Sequence, residues 1–289
     1  ALRNNHLDDL PAVARQIADI YPLSPMQQGM LFHSLQGPEG ALYINQTSVE
    51  VKGLEIERFV AAWQQVIDCH DILRSAFWSA PHLAEPLQLV YRKVELPVVV
   101  HDWRDRSVSA QMLQALAEAD AAQGLDLSVA PLMRLTLVRL DDERLHLLWT
   151  RHHILMDGWS TSRLLGEVLQ TYHGHPARAP AGRFGDYIRW LAGQPKAALE
   201  QFWRGKLQEL ESPTWLADSL AARPAADLQG HAALYLRWDA SRTRQLREQA
   251  HRLRITPNTL IQATWLLLLQ RYTGQATVCF GATVAGRPA

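Results

Sequence analysis

"RHHILMDGWS" spans Arg151–Ser160. Two adjacent histidines close an apolar run, and an aspartate–glycine pair follows after three apolar residues. The run before them, "RLHLLWTRH" (Arg144–His152), reads as a strand, and "GWSTSRLLGEVLQTYHG" (Gly158–Gly174) reads as an amphipathic helix ending at Gly174. The stretch is therefore a strand-to-helix junction. Successive strand side chains point to opposite faces, so His152 and His153 cannot share one pocket. One is expected to face the interior, fixed by hydrogen bonds, and the other to project into a cleft. Asp157 falls in the turn, where a carboxylate accepts backbone donors or pairs with a cation. Gly158 opens the helix, whose N-terminus offers backbone N–H groups and a partial positive charge. A histidine facing a helix N-terminus suits acyl transfer, with a base or positioning group on one side and oxyanion stabilisation on the other.

Other readings of the same residues stay open at this level. A histidine pair in a chain with 12 histidines is commonly structural. A metal site is disfavoured, because adjacent strand histidines diverge and no cysteine or third histidine stands at ligand spacing. A serine nucleophile elbow is missing, and so are the Walker and Gly-x-Gly-x-x-Gly phosphate loops. His173 and His175 lie in a linker-like stretch and read as solvent-exposed.

The 289 residues suit one large domain or two medium ones. Apolar residues make up 47% and charged residues 20%, as in an ordinary globular protein. Lys+Arg and Asp+Glu number 29 each, which argues against a nucleic-acid partner held by bulk charge. Two cysteines far apart, Cys69 and Cys279, make no disulfide framework. The N-terminal stretch "ALRNNHLDDLPAV" has no apolar core of signal-peptide type. The longest apolar run, Trp265–Leu269, is too short to span a bilayer. The expectation is a cytoplasmic protein without a membrane partner.

Outward from the junction, "LMRLTLVRL" (Leu132–Leu140) and "RLHLLWTRH" flank "DDE" as a hairpin. "YPLSPMQQGMLFHSL" (Tyr21–Leu35) opens a helix with Ser24 as N-cap, Pro25 first and Gln27 completing a capping box. Helices are also expected over Leu54–His70, where Phe59, Trp63 and Ile67 recur, and over Ser109–Gly124. Further helices are expected in "FGDYIRWLAG", "KAALEQFWRGKLQEL" and "ASRTRQLREQAHRL", and in "TPNTLIQATWLLLLQRYTG" between Thr256 and Gly274. Strands are expected in "LYINQTSVEVKG", "LRSAFW", "PLQLVYRKV", "HAALYLRW" (His231–Trp238) and "TVCFGATVAGR" (Thr277–Arg287). "GHPARAPAGR" (174–183) is the linker candidate. The mixture predicts an α/β fold of α+β sandwich type in two lobes.

Five stretches in order resemble the condensation domains of nonribosomal peptide synthetases, of the chloramphenicol acetyltransferase-like superfamily. They are "YPLSPMQQGMLFHSL", "CHDILRSAF" (Cys69–Phe77), "HHILMDGWS", "FGDYIRWL" (Phe184–Leu191) and "FGATVAGRP" (Phe280–Pro288). The second stretch departs from the family's usual Arg-His-x-x-Leu-Arg-Thr at Cys69 and Ser75, and keeps Arg74. The resemblance implies two lobes in a V: an N-terminal lobe over 1–178 carrying the His-His-x-x-x-Asp-Gly motif, and the first part of a C-terminal lobe over 179–289. About a third of such a domain is expected beyond residue 289.

The same resemblance implies the activity. An acyltransferase of this kind joins a carrier-bound donor acyl or peptidyl thioester to an acceptor aminoacyl thioester by an amide bond, without an acyl-enzyme. It implies His153 as the catalytic residue. Support comes from His152, Asp157, Gly158 and Arg74, with Arg287 as the partner of Asp157. The domain binds no cofactor or metal of its own. Substrates arrive on 4'-phosphopantetheine arms of an upstream donor carrier and a downstream acceptor carrier, beside an adenylation domain. The first and third motifs and "APLMRLTLV" look most like the class with a D-configured donor. The alternatives are an epimerisation domain of the same family and a silent domain that only docks carriers.

Overall fold

The computed structural model describes residues 14–36, 42–81, 83–220 and 234–283. By contacts the chain divides into two compact units, Ala1–Gln194 and Pro195–Ala289. In chain order the first unit forms β1 (Ile17–Pro22), α1 (Pro25–Gln36), β2 (Ile44–Lys52), α2 (Ile56–Cys69), β3 (Ser75–Trp78), β4 (Leu87–Tyr91) and β5 (Val98–Asp102). It continues with α3 (Ala110–Ala122), β6 (Met133–Arg139), β7 (Arg144–His152), α4 (Gly158–Tyr172) and α5 (Phe184–Ala192). Strands β1-β4-β3 make one antiparallel sheet. Strands β2-β7-β6-β5 make the other, with only β5 parallel to its neighbour.

The expected hairpin is the centre of the larger sheet, with Leu137 opposite Leu147 and Leu135 opposite Trp149. Its two faces bury different chemistry. On one, Trp149 meets Trp63 of α2, ring centroids 4.8 Å apart, within a cluster that also holds Phe59, Ile67, Leu135 and Leu147. The helical spacing of Phe59, Trp63 and Ile67 thus places all three in the core. On the other face, Asp120 of α3 is ringed by donors. Arg134 Nε lies at 2.9 Å, Gln46 Nε2 at 3.1 Å and Thr150 Oγ1 at 2.5 Å. A buried carboxylate survives there because it is paired and fully hydrogen-bonded.

The capping box of α1 forms as expected. Gln27 N–H donates to Ser24 Oγ at 3.3 Å, and Ser24 N–H donates to Gln27 Oε1 at 2.9 Å. The amide of Gln27 then donates to Gln88, which donates to Ser75 Oγ at 2.8 Å. Ser75 is wholly buried and donates onward to the Asp71 carbonyl, so its hydroxyl has both roles filled.

"LRSAFW" becomes a strand only from Ser75; Asp71–Arg74 forms a 3-10 turn instead. The cause is the buried Arg74. Its guanidinium bonds the carboxylate of Asp71, three residues back, at 2.7 Å. It also bonds the carbonyls of Ile67, Tyr91 and Arg92. The turn brings donor and carboxylate to one side, which an extended chain could not.

The Pro/Gly-rich stretch 174–183 lies inside the first unit. Beyond it, α5 packs Ile188 and Phe184 against Tyr21 and Val90. Arg183 reaches Asp71 at 2.6 Å. Gly185 sits close against the Tyr21 ring: a Cβ there would stand 3.1 Å from it, so the ring would have to give way slightly to admit one.

The second unit contains α6 (Lys196–Lys206), α7 (Leu216–Leu220), α8 (Ala240–Arg252) and α9 (Pro257–Thr273). Helix α9 begins and ends where the sequence predicts: Thr256 accepts from the Thr259 N–H, and Gly274 is left-handed at φ 70°. Two expected strands do not form within the described residues. Neither Leu234–Trp238 nor Thr277–Thr283 is in a strand. A strand needs a neighbour for its N–H and C=O groups, and alternation in sequence cannot supply one. The short elements β1, β5 and α7 carry too weak a pattern to be expected. No described helix is long and apolar enough to cross a membrane.

Candidate functional site

Strand β7 ends at His152, and His153–Leu155 forms a 3-10 turn before Asp157 caps α4. His153 thus begins a turn rather than closing the strand. The alternation nevertheless carries through. The His152 N–H donates to the Leu132 carbonyl beside β6 at 3.0 Å, and the His153 N–H donates to the Tyr43 carbonyl beside β2 at 2.8 Å. The two imidazoles go to different surroundings.

His152 is 1% exposed. The Tyr43 ring lies tilted 6.1 Å from it. Its Nδ1 accepts the Ile154 N–H at 3.1 Å, so the neutral ring carries its proton on Nε2. Nε2 faces Ser34 Oγ at 3.4 Å, and that hydroxyl donates to the Met30 carbonyl. Burial pushes the His152 pKa down to about 4; the neighbouring His153 adds to this, and a contact with the Leu42 backbone opposes it. His152 is a neutral, fully housed side chain.

His153 is half-buried. Its Nδ1 lies 3.1 Å from Asn45 Nδ2. No hydrogen bond engages its Nε2 among the described residues. Asp157 Oδ1 accepts the Ser160 N–H at 2.7 Å, and its carbonyl accepts both N–H and hydroxyl of Thr161 at 2.9 Å. The turn aspartate therefore takes backbone donors, as its position requires. Gly158 is the first residue of α4, exposed, with open space where a Cβ would stand. Trp159 beside it is 71% exposed.

The junction thus holds His152, His153, Asp157 and Gly158 together. Arg74 serves elsewhere, fastening the end of α2 to β4. Arg287 lies outside the described residues. Among the described residues no group of three or more His, Cys, Asp or Glu could hold a metal ion.

Four supporting residues do not stand out in the sequence. Asn45 and Tyr43 engage His153, and Ser34 faces His152. Arg151 lays its guanidinium 4.0 Å above the Trp149 ring and donates to Thr47 Oγ1 at 3.0 Å. Burial lowers the Arg151 pKa. The only signal for Asn45 is polarity within a strand pattern. Its importance follows from register, which sets Asn45 opposite Arg151 and so on the face to which His153 returns.

A family model described as "Condensation domain" matches residues 17–289. A linear gramicidin synthase of Brevibacillus parabrevis is 39% identical over 295 residues, covering 99% of this chain and 6% of that protein. A mycosubtilin synthase of Bacillus subtilis is 36% identical, covering 100% of this chain and 12% of that protein. The chain therefore spans a small part of each of these relatives. Among solved structures, the condensation domain from the monacolin K polyketide synthase MokA aligns with a TM-score of 0.67 at 18% identity, covering 90% of this chain and 61% of that one. The starter condensation domain of rhizomide synthetase RzmA aligns with a TM-score of 0.65 at 23% identity, covering 92% and 63%. At these identities the likeness bears on the fold, and it is the mixed α/β fold that the sequence predicts.

Proposed function

The chain belongs to the condensation-domain family, and from that premise we propose that it forms an amide bond between two carrier-bound substrates. The acceptor's α-amine attacks the carbonyl carbon of the donor thioester. A C–N bond forms, the C–S bond breaks, and the donor's pantetheine arm leaves as a thiol, with the proton that the amine gives up. No side chain is acylated. A free α-amine has a pKa near 8, so little proton abstraction is needed. His153 acts chiefly by holding the reacting groups and the charge that develops on them.

One observation carries this reading: the two histidines are divided between roles. His152 is buried and neutral, whereas His153, at the start of the turn that leads to α4, keeps Nε2 unengaged among the described residues. His153 therefore has a ring nitrogen left for a reactant, which His152 does not. Asp157 and Gly158 form the turn and helix start that follow His153, Arg287 is the expected partner of Asp157, and Arg74 acts away from the motif, at the end of α2. The two-lobe division at 178/179 belongs to this proposal, as do the donor and acceptor carriers, the adjacent adenylation domain and the cytoplasmic setting. The D-configured donor rests on motif likeness alone. It is tested by presenting matched D- and L-ended donor thioesters on one carrier, where a preference for the L-ended donor sinks that subtype and leaves condensation standing.

The main test places His153→Ala in the intact synthetase with both carriers loaded. Amide product should fall by about a hundredfold or more, with the melting temperature unchanged. Full activity in that variant would overturn the role of His153.

A further inference from the structure

The start of β2 and the residue before it hold His153 at two points. The Tyr43 carbonyl, one residue before β2 begins, accepts the His153 backbone N–H at 2.8 Å. Two residues on, Asn45 places its side-chain amide nitrogen 3.1 Å from His153 Nδ1. Both residues lie beside the C-terminal end of β7, since β2 pairs Ile44 with His152 and Asn45 with Arg151.

The backbone at Tyr43 is unusual. Its φ is +66°, a left-handed conformation that crowds the Cβ of any residue but glycine. The side chain is anchored there: Tyr43 Oη meets His33 Nδ1 at 2.9 Å, and the two rings stack at 6.3 Å with 7° between planes. The strained turn aims the carbonyl at the His153 N–H, so backbone and ring of His153 are both oriented from the start of β2 and the residue before it.

We propose that Asn45 is the positioning residue for His153, and that its amide fixes the neutral imidazole with the proton on Nε2. The amide nitrogen can only donate, so Nδ1 offers its lone pair and Nε2 bears the hydrogen. His153 then presents an N–H donor to the reactants. It stabilises negative charge developing on the thioester carbonyl oxygen and takes no proton from the amine. The chemical consequence rests on His153 being the group that meets the reactants. The tautomer itself is independent of turnover, so either claim can fail alone.

The tautomer is read by two-bond 1H–15N correlation on the intact chain labelled with 15N-histidine. The spectrum is taken at about pH 9, above the ordinary imidazole range. His153→Gln identifies the His153 signals. His152, fixed by the Ile154 N–H, is the internal check of folding. The wild-type chain should show the Nε2–H pattern at His153. Asn45→Asp, which can only accept there, should switch it to Nδ1–H, and Asn45→Ala should give a mixture of both. Asn45→Ala carries the same reading if the aspartate variant fails to fold. A wild-type Nδ1–H pattern overturns the proposal, as do spectra of Asn45→Ala and Asn45→Asp identical to wild type.

Discussion

The Nδ1 of His152 accepts the backbone N–H of Ile154 at 3.1 Å, two residues further along the chain. That contact needs a lone pair, and protonation at Nδ1 would replace it with two donors face to face. Burial works in the same direction and holds the His152 pKa at about 4. In the unfolded chain an ordinary histidine titrates near 6.5.

The first prediction follows from this difference. The folded pKa is depressed, so the unfolded chain binds the extra proton first. The stability linked to His152 is fully present above pH 6.5, falls as pH drops below that value, and levels off near pH 4. The span corresponds to about 3 kcal/mol. Denaturant melts at several pH values between these limits should show the loss. His152→Gln should be less stable at pH 7.5 and should lose much less on acidification. An equal loss in both proteins would assign the pH dependence to other groups.

Asp120 and Arg134 should behave as a coupled pair. Their side chains are 6% and 13% exposed, and Asp120 accepts from Arg134, Thr150, Thr136 and Gln46. Asp120→Ala leaves a buried guanidinium without its charge partner and should cost about 3–5 kcal/mol. Asp120→Asn keeps part of the hydrogen bonding and should cost less. Chemical denaturation of both variants measures the order, and an Asn variant as unstable as the Ala variant would contradict it. The Asp120 carboxyl titrates below its ordinary value. Burial, the largest influence on it, acts upward; the hydrogen bonds from Arg134, Thr150 and Gln46 and the Arg134 charge outweigh it. Its share of stability is therefore lost only as pH falls through that lower range.

Asp157 permits a separation of cap from charge. Asp157→Ala removes the bond to the Ser160 N–H, worth about 1 kcal/mol as a helix cap. Asp157→Asn keeps a good cap and removes only the charge. If Arg287 is its partner, Asp157→Asn should also destabilise, and a double-mutant cycle with Arg287→Ala should show coupling above about 1 kcal/mol. Additive losses would dissolve the pairing.

Gly158 separates folding from reaction. A Cβ there meets nothing within 4 Å and the residue has no left-handed backbone, so Gly158→Ala should melt at or slightly above the wild-type temperature. A drop in amide product from that variant in the intact synthetase, with the melt unchanged, would place the backbone at the start of α4 close to the reactants. Unchanged product formation would make Gly158 neutral.

Much of the architecture was determined by local signals. Ser24, Pro25 and Gln27 specify the start of α1, and Thr256, Pro257 and Gly274 both ends of α9, because capping depends on residues within one turn of one another. The alternation in Leu132–Leu140 and Arg144–His152 specifies the hairpin, and the five ordered motifs specify the family. The sequence also required that His152 and His153 diverge. Only the tertiary structure decided which of them is buried, because that depends on what α1 and Tyr43 bring to one side of the sheet. The same holds for Asn45, whose meeting with His153 depends on the register of β2 against β7, and for Arg74, whose buried guanidinium turns an expected strand into a 3-10 turn. The strand patterns at Leu234–Trp238 and Thr277–Thr283 show the converse. Alternation gives a segment a face, but hydrogen bonds from a neighbouring strand make it a strand, and those come from residues far away in the chain.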